Sequence, residues 1–78
     1  MKRRIKLTFP PDLIKEPVVF MVARQFDITP NIRRARITDT VGEMVLEIDG
    51  TDELIDKAVA ALREKGVEVE LVEGDVLQ

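Results

Sequence analysis

The stretch TPNIRRARITDTVGEMVLEI, residues 29–48, has the pattern of two β-strands joined by a short turn. Apolar side chains recur at every second position of the second strand, and three are predicted to face inward: Met44, Leu46 and Ile48. The first strand breaks this alternation, so a bulge near Arg33 and Arg34 is needed to bring three apolar side chains to one side: Ile32, Ala35 and Ile37. We expect Gly42, in the turn, to adopt a positive φ. The stretch therefore predicts an antiparallel hairpin.

One strand and one helix flank this hairpin on each side. Residues 3–9, RRIKLTF, alternate apolar and polar side chains as a strand does. A helix follows from Pro17, with an apolar stripe at spacings of three and four: Val19, Val22, Ala23 and Phe26. Thr51 is placed to cap a second helix that ends at Gly66, a residue that tolerates left-handed backbone geometry. Residues 67–73, VEVELVE, predict a last strand with three inward side chains: Val67, Val69 and Leu71.

The resulting order of elements is βαββαβ, which is the ferredoxin-like pattern. Two right-handed crossovers place both helices on one face of a four-stranded antiparallel sheet, with the strands in the spatial order 4-1-3-2. The predicted fold class is therefore α+β, ferredoxin-like. The chain has 78 residues, enough for one modest core, so we expect residues 1–78 to form a single domain.

Charge is distributed unevenly along the chain. Residues 1–36 carry a net charge of +6 and residues 37–78 a net charge of −9. On the predicted sheet these charges interleave, because the outward side chains of neighbouring strands alternate in sign. Copies of the chain are predicted to associate in one of two ways: the basic second strand pairs with the acidic fourth strand, or two faces without helices meet with their charges offset. Five residues form these surfaces: Arg34, Arg36, Val45, Glu68 and Glu70.

Composition argues against most enzyme classes. The chain contains no cysteine and no histidine, which removes thiolate and imidazole chemistry, soft-metal sites and iron–sulfur ligation. Small acyl phosphatases share the predicted topology but cradle phosphate in a glycine-rich loop, whereas the corresponding loop here, FPPDLIKEP, has three prolines and no glycine. We therefore expect a protein that is not an enzyme, with no catalytic residues, no metal and no cofactor.

Nucleic acid and membranes are also poor candidates as partners. Sheets that read single-stranded RNA stack bases on aromatic side chains, and the three aromatic residues of this chain are predicted in or near the core: Phe9, Phe20 and Phe26. The start, MKRRIKLTFP, lacks the apolar run of a signal sequence, and no stretch approaches the length of a membrane span. We expect a cytoplasmic protein with no nucleic-acid binding and no direct membrane insertion, whose arginines at 33, 34 and 36 form a solvated, partly paired edge.

Asn31 is the one polar residue whose position leaves two roles open. It follows Pro30 at the start of a strand, where its amide could hydrogen-bond either to a ligand carboxylate or to the backbone of its own turn. Over residues 30–70, PNIRRARITDTVGEMVLEIDGTDELIDKAVAALREKGVEVE, the chain resembles the NIL domain, a module found at the C-terminus of methionine-importer ATPases and joined to ferredoxin domains in other proteins. The Asn-Ile-Leu signature of that family is matched by Asn31-Ile32-Arg33 in two of three positions.

The resemblance implies a regulatory domain that binds methionine and pairs through its sheet. It implies Asn31 and Ile32 as ligand-binding residues, while Arg33 replaces an apolar contact of the signature. The expected function is a non-catalytic sensing module linked to methionine or sulfur amino-acid metabolism or transport. It would bind L-methionine or a related amino acid and act as a homodimer or higher homo-oligomer. The alternative is an assembly subunit of a sulfur-metabolism or ferredoxin-type system with no ligand of its own. Either role allows a partner enzyme or transporter subunit.

Overall fold

The predicted hairpin lies at one side of a four-stranded sheet. The computed structural model describes residues 2–72 of the chain. The elements, in chain order, are β1 (Lys2–Phe9), α1 (Val18–Phe26), β2 (Thr29–Ile37), β3 (Gly42–Asp49), α2 (Asp52–Glu64) and β4 (Glu68–Leu71). The strands lie in the order β2-β3-β1-β4 and every neighbouring pair is antiparallel, so the predicted topology is confirmed, read from the opposite edge. Glu73, the last residue of the predicted final strand, lies outside the described residues.

Both helices pack on one face of the sheet, which we call the helix face, and the other is the open face. Helix α1 lies against α2 and barely touches β2. The apolar side chains between the helices and the sheet form the core. The buried members are Ile5, Leu7, Phe9, Val18, Val22, Ile28, Leu46, Ile48, Ile55, Ala58, Val59, Leu62, Val67 and Val69.

The ends of the helices follow local chemistry. The Thr51 hydroxyl accepts a hydrogen bond from the backbone N–H of Leu54 at 3.1 Å, so the predicted cap of α2 is confirmed. Gly66 follows this helix with a φ of 104°, also as predicted. Helix α1 ends at Asp27, which takes a left-handed φ of 55°. Aspartate tolerates left-handed backbone geometry better than most residues, so α1 can end at Asp27. This end lies three residues before Pro30 and does not require the proline.

The hairpin turn does not use Gly42 as expected. Among the glycines of residues 2–72, only Gly66 has a positive φ, so the prediction for Gly42 was wrong. The turn is closed by Thr38, whose hydroxyl accepts a hydrogen bond from the N–H of Val41 at 2.9 Å. Gly42 is required for a steric reason, because a Cβ atom there would lie 3.0 Å from Ile14 Cγ1 and 3.1 Å from Phe9 Cβ.

The predicted bulge in β2 is confirmed. The pairing of β2 with β3 shifts between Ile32 and Arg34, which returns Ala35 and Ile37 to the side of Ile32. These inward positions are nevertheless poorly covered, and Ile32 and Ile37 are 49% and 47% exposed. Helix α1 lies mainly against α2 and makes few contacts with β2, so the edge strand is incompletely covered.

Two further apolar residues, Phe20 and Leu71, are more exposed than predicted. Phe20, expected in or near the core, is 62% exposed and borders a groove that Ile37 and Met44 also line. Met21 is also exposed. Leu71 pairs with Ile5 and has the inward orientation, but it ends the edge strand β4 and is 57% exposed. An apolar stripe in the sequence identifies the side of an element and does not determine whether a neighbour covers it.

Arg3 joins the first strand to the second helix. Its guanidinium donates hydrogen bonds to Asp56 Oδ1 at 2.7 Å and to Asp52 Oδ1 at 3.0 Å. These contacts raise the pKa of Arg3 above its ordinary value, the hydrogen bond to Asp56 being the largest cause, while desolvation opposes the shift. Asp52 and Glu53, in the first turn of α2, also interact favourably with the positive end of the helix dipole.

Candidate functional site on the open face

The open face contains a polar row that crosses three strands. Asn31 on β2 lies opposite Glu47 on β3, and Glu47 lies opposite Arg4 on β1. Arg4 Nη2 donates to Glu47 Oε2 at 3.1 Å, with both side chains about one quarter exposed, at 28% and 23%. The backbone N–H of Val72 donates to the carbonyl of Arg4 at 3.1 Å, which extends the row to the end of β4. The row therefore presents an amide, a carboxylate and a guanidinium side by side.

The next row is cationic around an apolar centre. Arg34 lies opposite Val45, and Val45 lies opposite Lys6. Two shallow concavities meet here, and both are lined by these three residues. Arg33 and Val72 extend the first concavity, and the second reaches Arg36 and Glu43 along the neighbouring row. We call the combined depression, centred on Val45, the cationic basin.

The strand register confirms the predicted alternation of charge across the open face. Most of these opposite charges nevertheless do not form ion pairs within residues 2–72. Glu43 lies opposite Arg36 and Glu70 lies opposite Lys6, as an alternating face requires. Arg4 and Glu47 form an ion pair across this face, whereas Arg36 with Glu43 and Lys6 with Glu70 do not come within 4.0 Å. Exposed charges on neighbouring strands stay apart because each remains well hydrated and the gain from pairing is small. The cations of the basin are therefore available to an anion.

The two predicted ligand residues lie on opposite faces. Asn31 is on the open face, whereas Ile32 lies opposite Leu46 on the helix face. The five predicted association residues are all brought to the open face: Arg34, Arg36, Val45, Glu68 and Glu70. Lys6 and Glu47 complete the site but were not among the predicted site residues. The alternation of apolar and polar residues predicts that both side chains point outward. Only the register with β2 shows that they lie beside Asn31 and Arg34.

Residues 2–72 contain neither a cluster of metal-ligating side chains nor a membrane-spanning helix. This part of the chain has no group of three or more aspartate or glutamate residues arranged to hold a metal ion. None of its helices combines the length and the apolar character needed to cross a membrane.

Comparison with known proteins gives the family. The model of the NIL domain matches residues 3–71, and the chain belongs to the NIL domain family. One relative is the methionine import ATP-binding protein MetN 1 of Listeria innocua, which is 36% identical over 73 residues, covering 88% of this chain and 22% of the relative. Another is the methionine import ATP-binding protein MetN of Helicobacter hepaticus, which is 40% identical over 58 residues, covering 69% of this chain and 16% of the relative.

The chain thus spans about a fifth of the length of these importer proteins, 22% of the first. A solved structure, the C-terminal domain of an ABC transporter ATP-binding protein from Enterococcus faecalis, superimposes with a TM-score of 0.83. That match covers 94% of this chain and 86% of the other chain at 22% sequence identity. It supports the ferredoxin-like fold, in agreement with the strand order.

Proposed function

We propose that this chain is a non-catalytic regulatory module that senses L-methionine or a related amino acid in the cytoplasm. Its relatives are ATP-binding proteins of methionine import, so a link to methionine transport or sulfur amino-acid metabolism is the most direct assignment. A transporter or enzyme subunit is then the natural partner. The single observation that carries the proposal is the position of Asn31, the first residue of the family signature, on the open face beside Glu47 and next to the cationic basin.

The chemistry of this face suits a zwitterionic amino acid. The carboxylate of the ligand needs cations or N–H donors, which Arg34, Lys6 and the Asn31 amide provide. The ammonium group needs an acceptor, and Glu47 lies opposite Asn31. A thioether or aliphatic side chain needs an apolar surface, and Val45 lies at the centre of the basin.

The basin also favours an oligomeric site. Small-molecule sites usually enclose most of the ligand, whereas the two concavities here are open to solvent. A ligand held on one open face would leave much of its surface exposed to water. We propose that the open face of a second copy covers it, with Arg34, Arg36, Val45, Glu68 and Glu70 at the contact. Ile32 lies on the helix face, so in this arrangement it would affect ligand binding only indirectly, through the position of β2.

A thermal-shift titration with L-methionine tests the proposal, with homocysteine and L-leucine as controls for the sulfur position and for general hydrophobicity. A ligand present at a hundred times its dissociation constant adds about 2.7 kcal/mol to the free energy of unfolding. For a domain of this size that corresponds to a rise in melting temperature of roughly 10 to 20 °C. We expect a saturable shift that is selective for methionine or a close relative.

The second candidate function is an assembly subunit of a sulfur-metabolism or ferredoxin-type system, with no ligand of its own. The observation that favours it is the exposed edge strand β2, together with Arg33 at the third signature position in place of an apolar residue. The titration separates the two candidates. Absence of any shift up to millimolar amino acid would remove the sensing role and leave the assembly role.

A further inference from the structure

The two edges of the sheet are built differently. Strand β4 has four residues, and the guanidinium of Arg63 donates to the outward carbonyl of Val69 at 3.0 Å, which occupies part of that edge. Strand β2 has nine residues, and no strand within residues 2–72 pairs with its outer side. An edge strand offers a row of backbone N–H and C=O groups that can pair with another strand. The β2 edge is the longer and the less protected of the two.

The arginines of β2 decide which strand can pair with this edge. Arg34 and Arg36 point to the open face, and neither has an ion-pair partner within residues 2–72. A second copy of β2 would bring like charges side by side, which is destabilising for cross-strand neighbours. A strand with carboxylates at the facing positions would instead form cross-strand ion pairs. The same charges therefore disfavour pairing with a second copy of β2 and favour an acidic strand.

On the helix face, β2 favours apolar side chains in a strand that pairs with its edge. Ala35 and Ile37 point to the helix face, where Ile37 lines an apolar groove of about 70 Å³. The groove is formed mainly by apolar residues, including Leu13, Val19, Phe20 and Met44. Ala35 is small and leaves room for a larger neighbour across the edge. Aliphatic side chains placed opposite Ala35 and Ile37 would cover surface that α1 leaves exposed.

We propose that the outer edge of β2 binds an extended strand of a partner protein in which aliphatic and acidic residues alternate. Its carboxylates would pair with Arg34 and Arg36 on the open face, and its aliphatic side chains would pack beside Ala35 and Ile37 on the helix face. The regular segment of β2 beyond the bulge, residues 34–37, fixes the core of the partner motif as aliphatic-acidic-aliphatic-acidic. This mode of binding is strand addition to a sheet edge. It shares Arg34 with the proposed amino-acid site but engages the outer backbone edge of β2, and it does not depend on the proposed sensing function.

Three synthetic peptides test this inference with the full chain. The first, Ac-TVEIEVT-NH2, has the proposed alternation. The second, Ac-TVKIKVT-NH2, reverses its charges, and the third, Ac-TEEIVVT-NH2, has the composition of the first but places its acids on opposite faces. We expect only the first to bind, with an affinity that weakens as salt is raised. In the NMR spectrum of labelled protein its binding should shift the amide signals of residues 34–37 and protect them from hydrogen exchange.

A charge-swapped variant provides the decisive control. Arg34→Glu/Arg36→Glu should weaken binding of the first peptide by at least about tenfold, because two attractive cross-strand pairs become repulsive. The same variant should gain binding to the lysine peptide. A matched variant, Arg24→Glu/Lys65→Glu, changes the net charge equally at exposed positions outside β2 and should bind as the unmodified chain does.

Three results would each overturn the inference. The first is equal binding of the acidic, basic and rearranged peptides. The second is a set of shifted signals located on β4 or on the open face away from β2. The third is protection of the β2 amides that rises with protein concentration without peptide, since a second copy would then occupy the edge. If methionine causes no thermal shift while the first peptide still binds, only the proposed sensing role is contradicted.

Discussion

Asn31 and Ile32 are adjacent in the chain and lie on opposite faces of the sheet. Asn31 is opposite Glu47 on the open face, and Ile32 is opposite Leu46 on the helix face. A ligand on the open face of one protomer can contact the first side chain directly and not the second. The proposed open-face site therefore predicts separable roles for the two residues of the signature: Asn31 would contact the ligand, and Ile32 would help to position the edge strand.

Asn31→Ala should abolish the thermal response to methionine, because it removes the amide next to Glu47 without touching the core. Ile32→Ala should keep the response at a somewhat lower melting temperature, since Ile32 is 49% exposed and only part of its apolar surface is lost. Thermal-shift and calorimetric titrations of both variants provide the measurement. Equal loss of affinity in the two variants, or none in either, would contradict an open-face site.

The sequence predicts the fold well because its informative residues act locally. Alternation along residues 43–48, the cap at Thr51 and the glycine at 66 each depend on near neighbours in the chain. The bulge at Arg33 was also readable, since only an extra residue reconciles Ile32 with the inward positions that follow it. These features together leave few topologies other than βαββαβ.

The features that were missed depend on how elements pack in space. Phe20 and Leu71 belong to apolar patterns, yet no helix covers them, and helix placement is a property of the assembled sheet. The role of Gly42 was missed for the same reason, because its neighbour Ile14 comes from a distant loop. The association of Lys6 with the basin required the register between β1 and β3. A local sequence pattern does not determine the register of strands or the steric contacts between segments that are distant in the chain.

Replacing Arg3 with glutamine should lower the free energy of unfolding by about 1 kcal/mol, because two charge-assisted hydrogen bonds are lost while Asp52 and Asp56 remain well solvated. Urea denaturation measures the change. The folded-state pKa of Arg3 is raised, so its contribution is present below the unfolded pKa and is lost only as pH rises through the folded value. The difference between the two proteins should therefore be the same at about pH 6 and about pH 9.

The control for this prediction is a double-mutant cycle. In an Asp52→Asn/Asp56→Asn background, Arg3→Gln should cost clearly less than in the unmodified chain. An equal cost in both backgrounds would mean that Arg3 stabilises through its aliphatic stem and not through the aspartates.

Gly42→Ala should destabilise the chain by about 1 to 3 kcal/mol, because the new methyl group would meet Ile14 Cγ1 at 3.0 Å and Phe9 Cβ at 3.1 Å. Gly50→Ala is the matched control, since its nearest neighbour, Ile28 Cγ2, lies at 3.3 Å and can yield more easily. Thermal and urea unfolding of the two variants provide the comparison. A cost at position 42 no larger than at position 50 would contradict the steric role assigned to this glycine.

Val45→Asp should convert an associating chain into a stable monomer. Val45 is the apolar centre of the cationic basin, so an aspartate there would remove apolar contact between two open faces. The same aspartate would lie between Arg34 and Lys6, whose charges offset its cost within the protomer. Light scattering over a range of protein concentrations should show the unmodified chain rising above its monomer mass of 8.8 kDa and the variant remaining at it. Val45→Thr, which keeps the branched shape, should associate nearly as well as valine. An unmodified chain that stays monomeric at every concentration, with and without methionine, would contradict association through the open face.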